Sequence, residues 1–102
     1  MATGTLRHSS LAPAHPGELL RDILIPAAGK TKIEIAALLG LSRQSLYDIL
    51  AGKQTVTPSV AVRLGKLFGD GPAVWMRMQA EHDLWHAERA IDVSAIPTIR
   101  AA

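Results

Sequence analysis

The sequence predicts an all-α protein, a bundle of five helices in which two form a helix-turn-helix. Three observations carry that prediction. Residues 31–53, TKIEIAALLGLSRQSLYDILAGK, place apolar side chains at Ile35, Leu39, Leu41, Leu46 and Ile49 on either side of Gly40, the pattern of two short helices hinged at a glycine. Capping residues precede the apolar-periodic runs, and glycine or proline follows them. No strand-like alternation of useful length and no internal repeat interrupts this arrangement.

Taken in order, residues 1–14 mix Thr, Ser, Gly, Ala and Pro without periodicity and read as a flexible arm. His15-Pro16-Gly17-Glu18 opens the first helix. Pro16 or Gly17 suits its first turn, Glu18 suits the positive end of the helix dipole, and Leu19, Leu20, Ile23 and Leu24 supply a buried stripe. Pro26 and the Ala-Ala-Gly after it end that helix. Thr31 caps the second helix, with Glu34 completing a capping box. Ala36 is small enough for a close helix crossing, and Gly40 takes the positive φ of the turn without a Cβ penalty. Ser42 caps the third helix, which runs to about Ala51 and stops at Gly52.

Thr57-Pro58 begins the fourth helix as a cap followed by proline, and Val60, Ala61, Leu64, Leu67 and Phe68 line it. Gly69-Asp70-Gly71-Pro72 leads to a fifth helix over roughly Ala73 to Arg89, with Val74, Met78, Glu81 and Trp85 near one stripe and Trp75 and Leu84 beside it. Trp75 is read as core, and Trp85 as either core or part of a dimer seam. The chain divides into the arm 1–14, a helix-turn-helix domain 15–90 and a C-terminal tail 91–102.

Composition narrows the chemistry. The chain has 102 residues, enough for one small domain with a single helical core. Its apolar fraction is 48%, too high for disorder, and with only four aromatic residues the core must be largely aliphatic. The absence of cysteine excludes disulfides, thiol catalysis and cysteine-ligated zinc. There is no Gly-rich phosphate loop and no nucleophile elbow, so no enzyme is expected. His82 and His86 stand four apart on one helix but lack a fixed third ligand, so neither a metal nor another cofactor is expected. No run approaches a membrane span, and the N-terminus lacks the apolar core of a signal peptide, which predicts a cytoplasmic location, with the nucleoid for a DNA binder.

Charge is distributed unevenly. Residues 1–29 are neutral, residues 67–102 sum to −2, and residues 30–66 carry Lys30, Lys32, Arg43, Lys53, Arg63 and Lys66 against Glu34 and Asp48, a sum of +4. The positive excess thus sits on the helix-turn-helix, where phosphates would lie. The third helix leaves Arg43, Gln44, Tyr47 and Asp48 off its apolar seam. Arg43 suits the O6/N7 edge of guanine, Gln44 an adenine or a phosphate, and Tyr47 a thymine methyl or a phosphate. Ser42 and Ser45 lie where backbone N–H groups at the helix start meet phosphate, and Lys32 and Lys53 offer point charges to it.

HPGELL in the first helix, ALLGLSRQSLYDILAGK across the motif, TPSVAVRLGKLFG in the fourth helix and PAVWMRMQAEHDLW in the fifth together resemble the HigA-type antitoxins, a branch of the Xre-like helix-turn-helix family with a lambda-repressor-like fold. The resemblance covers roughly His15 to Arg89. Lys32 stands where relatives often carry Gln, at a position that commonly touches the DNA backbone, and His82 where they often carry Tyr. Membership implies a homodimer that binds palindromic double-stranded operator DNA and represses its own operon. It also implies a partner, a RelE-like HigB toxin that cleaves messenger RNA and is held inactive by direct contact. The alternative is a stand-alone Xre-family transcriptional regulator with no toxin.

Overall fold

The computed structural model describes residues 11–100, and the first ten residues of the expected arm lie outside them. Among the described residues there are five helices and no strands. The first, α1, spans residues 16–28; α2 is Lys32–Leu39, α3 Arg43–Leu50, α4 Pro58–Phe68 and α5 Pro72–Ala90.

Helix α1 differs from the sequence-based expectation in its end and in its phase. It is α-helical over Pro16–Leu19, π-helical over Leu20–Leu24 and α-helical again over Ile25–Ala28, passing through Pro26 to stop at Gly29 (φ 67°). Proline has no N–H to donate, and its ring crowds the carbonyl four residues back; the widened turn just before it lets the helix continue. In that turn the Ile25 N–H reaches the Leu20 carbonyl, five residues back. The extra residue delays the inward phase, so Leu20 and Ile25 are buried while Ile23, expected inside, is 57% exposed.

Entry into α1 explains the HPGE sequence atom by atom. His15 Nδ1 accepts the Gly17 N–H at 2.9 Å, and the Glu18 carboxylate accepts the His15 N–H at 3.3 Å, a capping box built on histidine. Pro16 needs no acceptor there. A Cβ on Gly17 would run into the backbone carbonyl of Ile49, so glycine is what lets α1 lie directly against the end of α3.

Helices α2 and α3 form the expected pair. Thr31 and Glu34 cap α2 reciprocally at 3.1 and 2.8 Å, and Ser42 Oγ accepts the Ser45 N–H at 3.0 Å. Both helices close in the same way: Leu41 N–H to Ala36 O with Gly40 N–H to Ala37 O, and Lys53 N–H to Asp48 O with Gly52 N–H to Ile49 O. These are Schellman endings, with Gly40 (φ 70°) and Gly52 (φ 73°) in the left-handed position. Arg63 of α4 adds a guanidinium N–H to the Leu39 carbonyl at 2.8 Å, tying the end of α2 to the fourth helix.

The core lies where these helices converge on Leu46, Ile49, Leu64 and Trp75, all at most 1% exposed. Trp75 is core as expected, with its indole N–H donated to Asp70 at 3.0 Å. The buried face of α5 departs from the apolar reading. It runs through Trp75 and Gln79, while Glu81 is exposed and Leu84 is 60% exposed. Residues 91–100 form no helix, and Ile91, Val93, Ile96 and Ile99 are exposed.

Candidate nucleic-acid interface

Helix α3 divides its residues cleanly. Leu46, Ile49 and Leu50 are buried, whereas Arg43, Gln44 and Tyr47 are exposed on the opposite side. Arg43 extends from the first turn, held by no hydrogen bond or ion pair among the described residues. Gln44 donates its amide to Asp48 Oδ1 at 2.8 Å, which leaves its carbonyl oxygen open. To read an adenine with both amide atoms, Gln44 must let go of Asp48. Ser42 is exposed with its hydroxyl oxygen engaged as the cap, and Ser45 is half-buried.

Lys32 and Tyr47 come together in space. Lys32 is the first residue of α2 and is exposed; Tyr47 is 43% exposed. With Arg21, Leu50 and Ala51 they line an open groove of about 300 Å³. Lys53 is exposed in the loop beyond α3 and does not line this groove. The surface therefore combines a helix with Arg and Gln near its N-terminus, a cation on the neighbouring helix and an open groove between them. Chemically this matches hydrogen-bonding to base edges flanked by charge-assisted contacts to phosphate.

The loop that leaves α3 is fixed from behind by two buried polar residues, 6% and 3% exposed, that apolar patterning does not single out: His15 and Gln79. Gln79 Oε1 accepts the Val56 N–H at 2.8 Å, and its amide donates to Asp83 at 2.9 Å. His82 donates from Nδ1 to the same Asp83 oxygen at 3.0 Å. His82 also meets His15 edge-on at 5.0 Å between ring centroids and lies 4.5 Å from His86. Burial, and then the neighbouring His82, push the His15 imidazole below its ordinary value, against the opposing pull of Asp83, the Gln54 backbone and Glu18. The His82 hydrogen bond, helped by that of Gln79, holds the Asp83 carboxyl below the usual carboxylate range. Among the described residues no three side chains are placed to hold a metal ion, His82 and His86 included.

Trp85 is half-buried and covered by the Arg89 guanidinium, 3.7 Å from the ring centroid, rather than enclosed in the core. No helix among the described residues is long and apolar enough to cross a membrane.

Comparison with known proteins agrees with this geometry. A helix-turn-helix family model matches residues 20–75. The chain is similar to a solved structure of the Pseudomonas aeruginosa antitoxin HigA with the higBA promoter: 32% identical, TM-score 0.73, covering 76% of this chain and 85% of that one. It is also similar to an addiction module antidote protein of a HigA family from Coxiella burnetii, at 27% identity and TM-score 0.77, covering 88% of this chain and all of that one. A third relative is the virulence-associated protein I of Dichelobacter nodosus, 32% identical over 74% of this chain and 69% of that protein. With the capped pair of helices hinged at Gly40, the exposed polar face of α3 and these likenesses together, the chain belongs to the helix-turn-helix family, in the Xre-like branch that holds the HigA antitoxins.

Proposed function

We propose that this chain is the antitoxin and autorepressor of a HigBA-type module. A homodimer places each α3 in the major groove of a palindromic operator, with the two recognition helices about 34 Å apart, one turn of the duplex, or a multiple of that. Arg43 and Gln44 read base edges, Tyr47 lies against a thymine methyl or a phosphate, and Lys32, Ser42, Ser45 and Lys53 hold the backbone. The dimer occludes its own promoter. It holds a RelE-like HigB toxin inactive by direct contact, and both proteins work in the cytoplasm at the nucleoid.

The observation that supports this most is the exposed α3 face carrying Arg43, Gln44 and Tyr47 next to Lys32, on a chain similar to an antitoxin HigA solved with promoter DNA. Co-expression with the product of the adjacent reading frame tests it by pull-down and growth. A stable complex that rescues growth from a toxic neighbour supports the antitoxin reading. A harmless neighbour and no complex, with retained binding to the promoter, replace it by the stand-alone regulator; similar chains include HTH-type regulators of uncharacterised role in Escherichia coli.

A further inference from the structure

We infer that Arg21, on α1, is a phosphate contact of the DNA surface, and that Asp22 holds its guanidinium in the unbound protein. This rests on the DNA-binding reading proposed above. The groove between Lys32 and Tyr47 is the starting point, because Arg21 closes its remaining side with Leu50 and Ala51. A duplex that touches both Lys32 and Tyr47 must run past this opening, and the charged group lining it from α1 is a guanidinium. Three elements thus meet there: the π turn of α1, the first turn of α2 and the end of α3.

The Arg21 side chain is positioned but not buried. It is 43% exposed, and its Nη1–H reaches the Leu50 carbonyl at 3.4 Å, at the long end of hydrogen bonding. Its Nε and Nη2 donate to the two oxygens of Asp22 at 2.8 and 2.9 Å. This two-point grip is the geometry a guanidinium also uses for phosphate, so carboxylate and phosphate compete for the same donors. Both partners are exposed, the Asp22 side chain by 55%, and an exposed pair of this kind is a weak clasp. A phosphate arriving at the groove replaces Asp22 without any change in the backbone. The adjacent carboxylate sets a cost on that exchange, and so tempers affinity for any duplex regardless of sequence.

The test is fluorescence anisotropy with a labelled random-sequence duplex across a salt series, since a phosphate contact does not depend on the operator. Arg21→Ala is expected to bind about tenfold more weakly, with the dependence on log salt shallower by about one unit per bound subunit. Asp22→Asn is expected to bind several-fold more tightly, and that gain is expected to shrink sharply in the Arg21→Ala background. Lys32→Ala serves as the comparison. If Lys32→Ala weakens binding while Arg21→Ala and Asp22→Asn bind as the parent does, Arg21 is off the DNA path and the inference falls, leaving the DNA-binding reading intact. An equal gain from Asp22→Asn in both backgrounds also overturns it, because Asp22 then acts by general repulsion. If the parent chain shows no salt-dependent binding to random or promoter duplex, the DNA-binding reading itself fails and the inference goes with it. Should thermal melting show that Arg21→Ala does not fold, Asp22→Asn and Arg21→Lys decide. Arg21→Lys keeps the charge but loses the two-point fork to Asp22, so the gain from Asp22→Asn is expected to shrink in the Arg21→Lys background; an equal gain in both backgrounds overturns the inference.

Discussion

Gln79 reaches from α5 to accept the backbone N–H of Val56 at 2.8 Å, fastening the loop that follows α3 to the last helix. Val56 is fully buried and Gln79 is 3% exposed, so no water competes for either group. Gln79→Leu leaves the Val56 N–H buried without an acceptor, and the expected loss is about 1–3 kcal/mol of stability. Urea unfolding checks this; a midpoint unchanged from the parent would mean that the loop finds another acceptor.

Gly17 and Gly29 predict unequal costs for the same substitution. Gly29 has a positive φ of 67° but open space around it, so Gly29→Ala pays only backbone strain of about 1–2 kcal/mol. A Cβ at Gly17 meets the Ile49 carbonyl, a backbone atom with no rotamer to escape into. Gly17→Ala is therefore expected to cost more, about 3 kcal/mol or above if α1 must shift. Thermal melts of the two variants side by side decide the order.

Burial gives His15 a pH signature. Its folded pKa lies below the ordinary value of 6.5, so between those two values the unfolded chain binds a proton that the folded one does not. Stability is therefore expected to fall as pH drops below about 6.5, until the folded pKa is reached. His15→Asn keeps a cap acceptor for the Gly17 N–H and cannot titrate. Urea midpoints for the two proteins are expected to diverge in pH dependence across that window, with the flatter curve belonging to His15→Asn. Parallel curves would place the titration elsewhere.

On the proposed DNA face, Arg43→Ala is expected to lose about 1–3 kcal/mol of discrimination between promoter and random duplex. Lys32→Ala and Lys53→Ala are expected to weaken both duplexes alike and to flatten the salt dependence. Competition binding with the two duplexes separates these outcomes. Equal loss on both duplexes for Arg43→Ala would assign it to the backbone instead.

Much of the fold is legible because each helix start carries its own local chemistry. Thr31, Ser42 and Thr57 each cap the helix expected of them, and Gly40 turns the chain where its lack of a Cβ is needed. Two elements are harder to read for a shared reason: apolar periodicity assumes 3.6 residues per turn and an apolar interior. Helix α1 breaks the first assumption with its π turn, which moves Ile23 out and Ile25 in. Helix α5 breaks the second, because Gln79 is buried to serve a loop N–H more than twenty residues away, a partner that no local pattern reveals. The exposed face of α3 could be read directly, since what an amphipathic helix does not bury it must present. Arg21 is not legible from the sequence, because its place beside Lys32 and Tyr47 is set by how α1 packs and not by spacing along the chain.

The division of labour within α3 has an evolutionary consequence. Folding draws on Leu46, Ile49, Leu50 and the Ser42 cap, and makes almost no demand on Arg43, Gln44 or Tyr47. Those outward positions are thus free to drift at little thermodynamic risk. If α3 reads DNA as proposed, two copies of such a protein can, after a duplication, diverge to separate promoters through a handful of substitutions, each copy folding throughout.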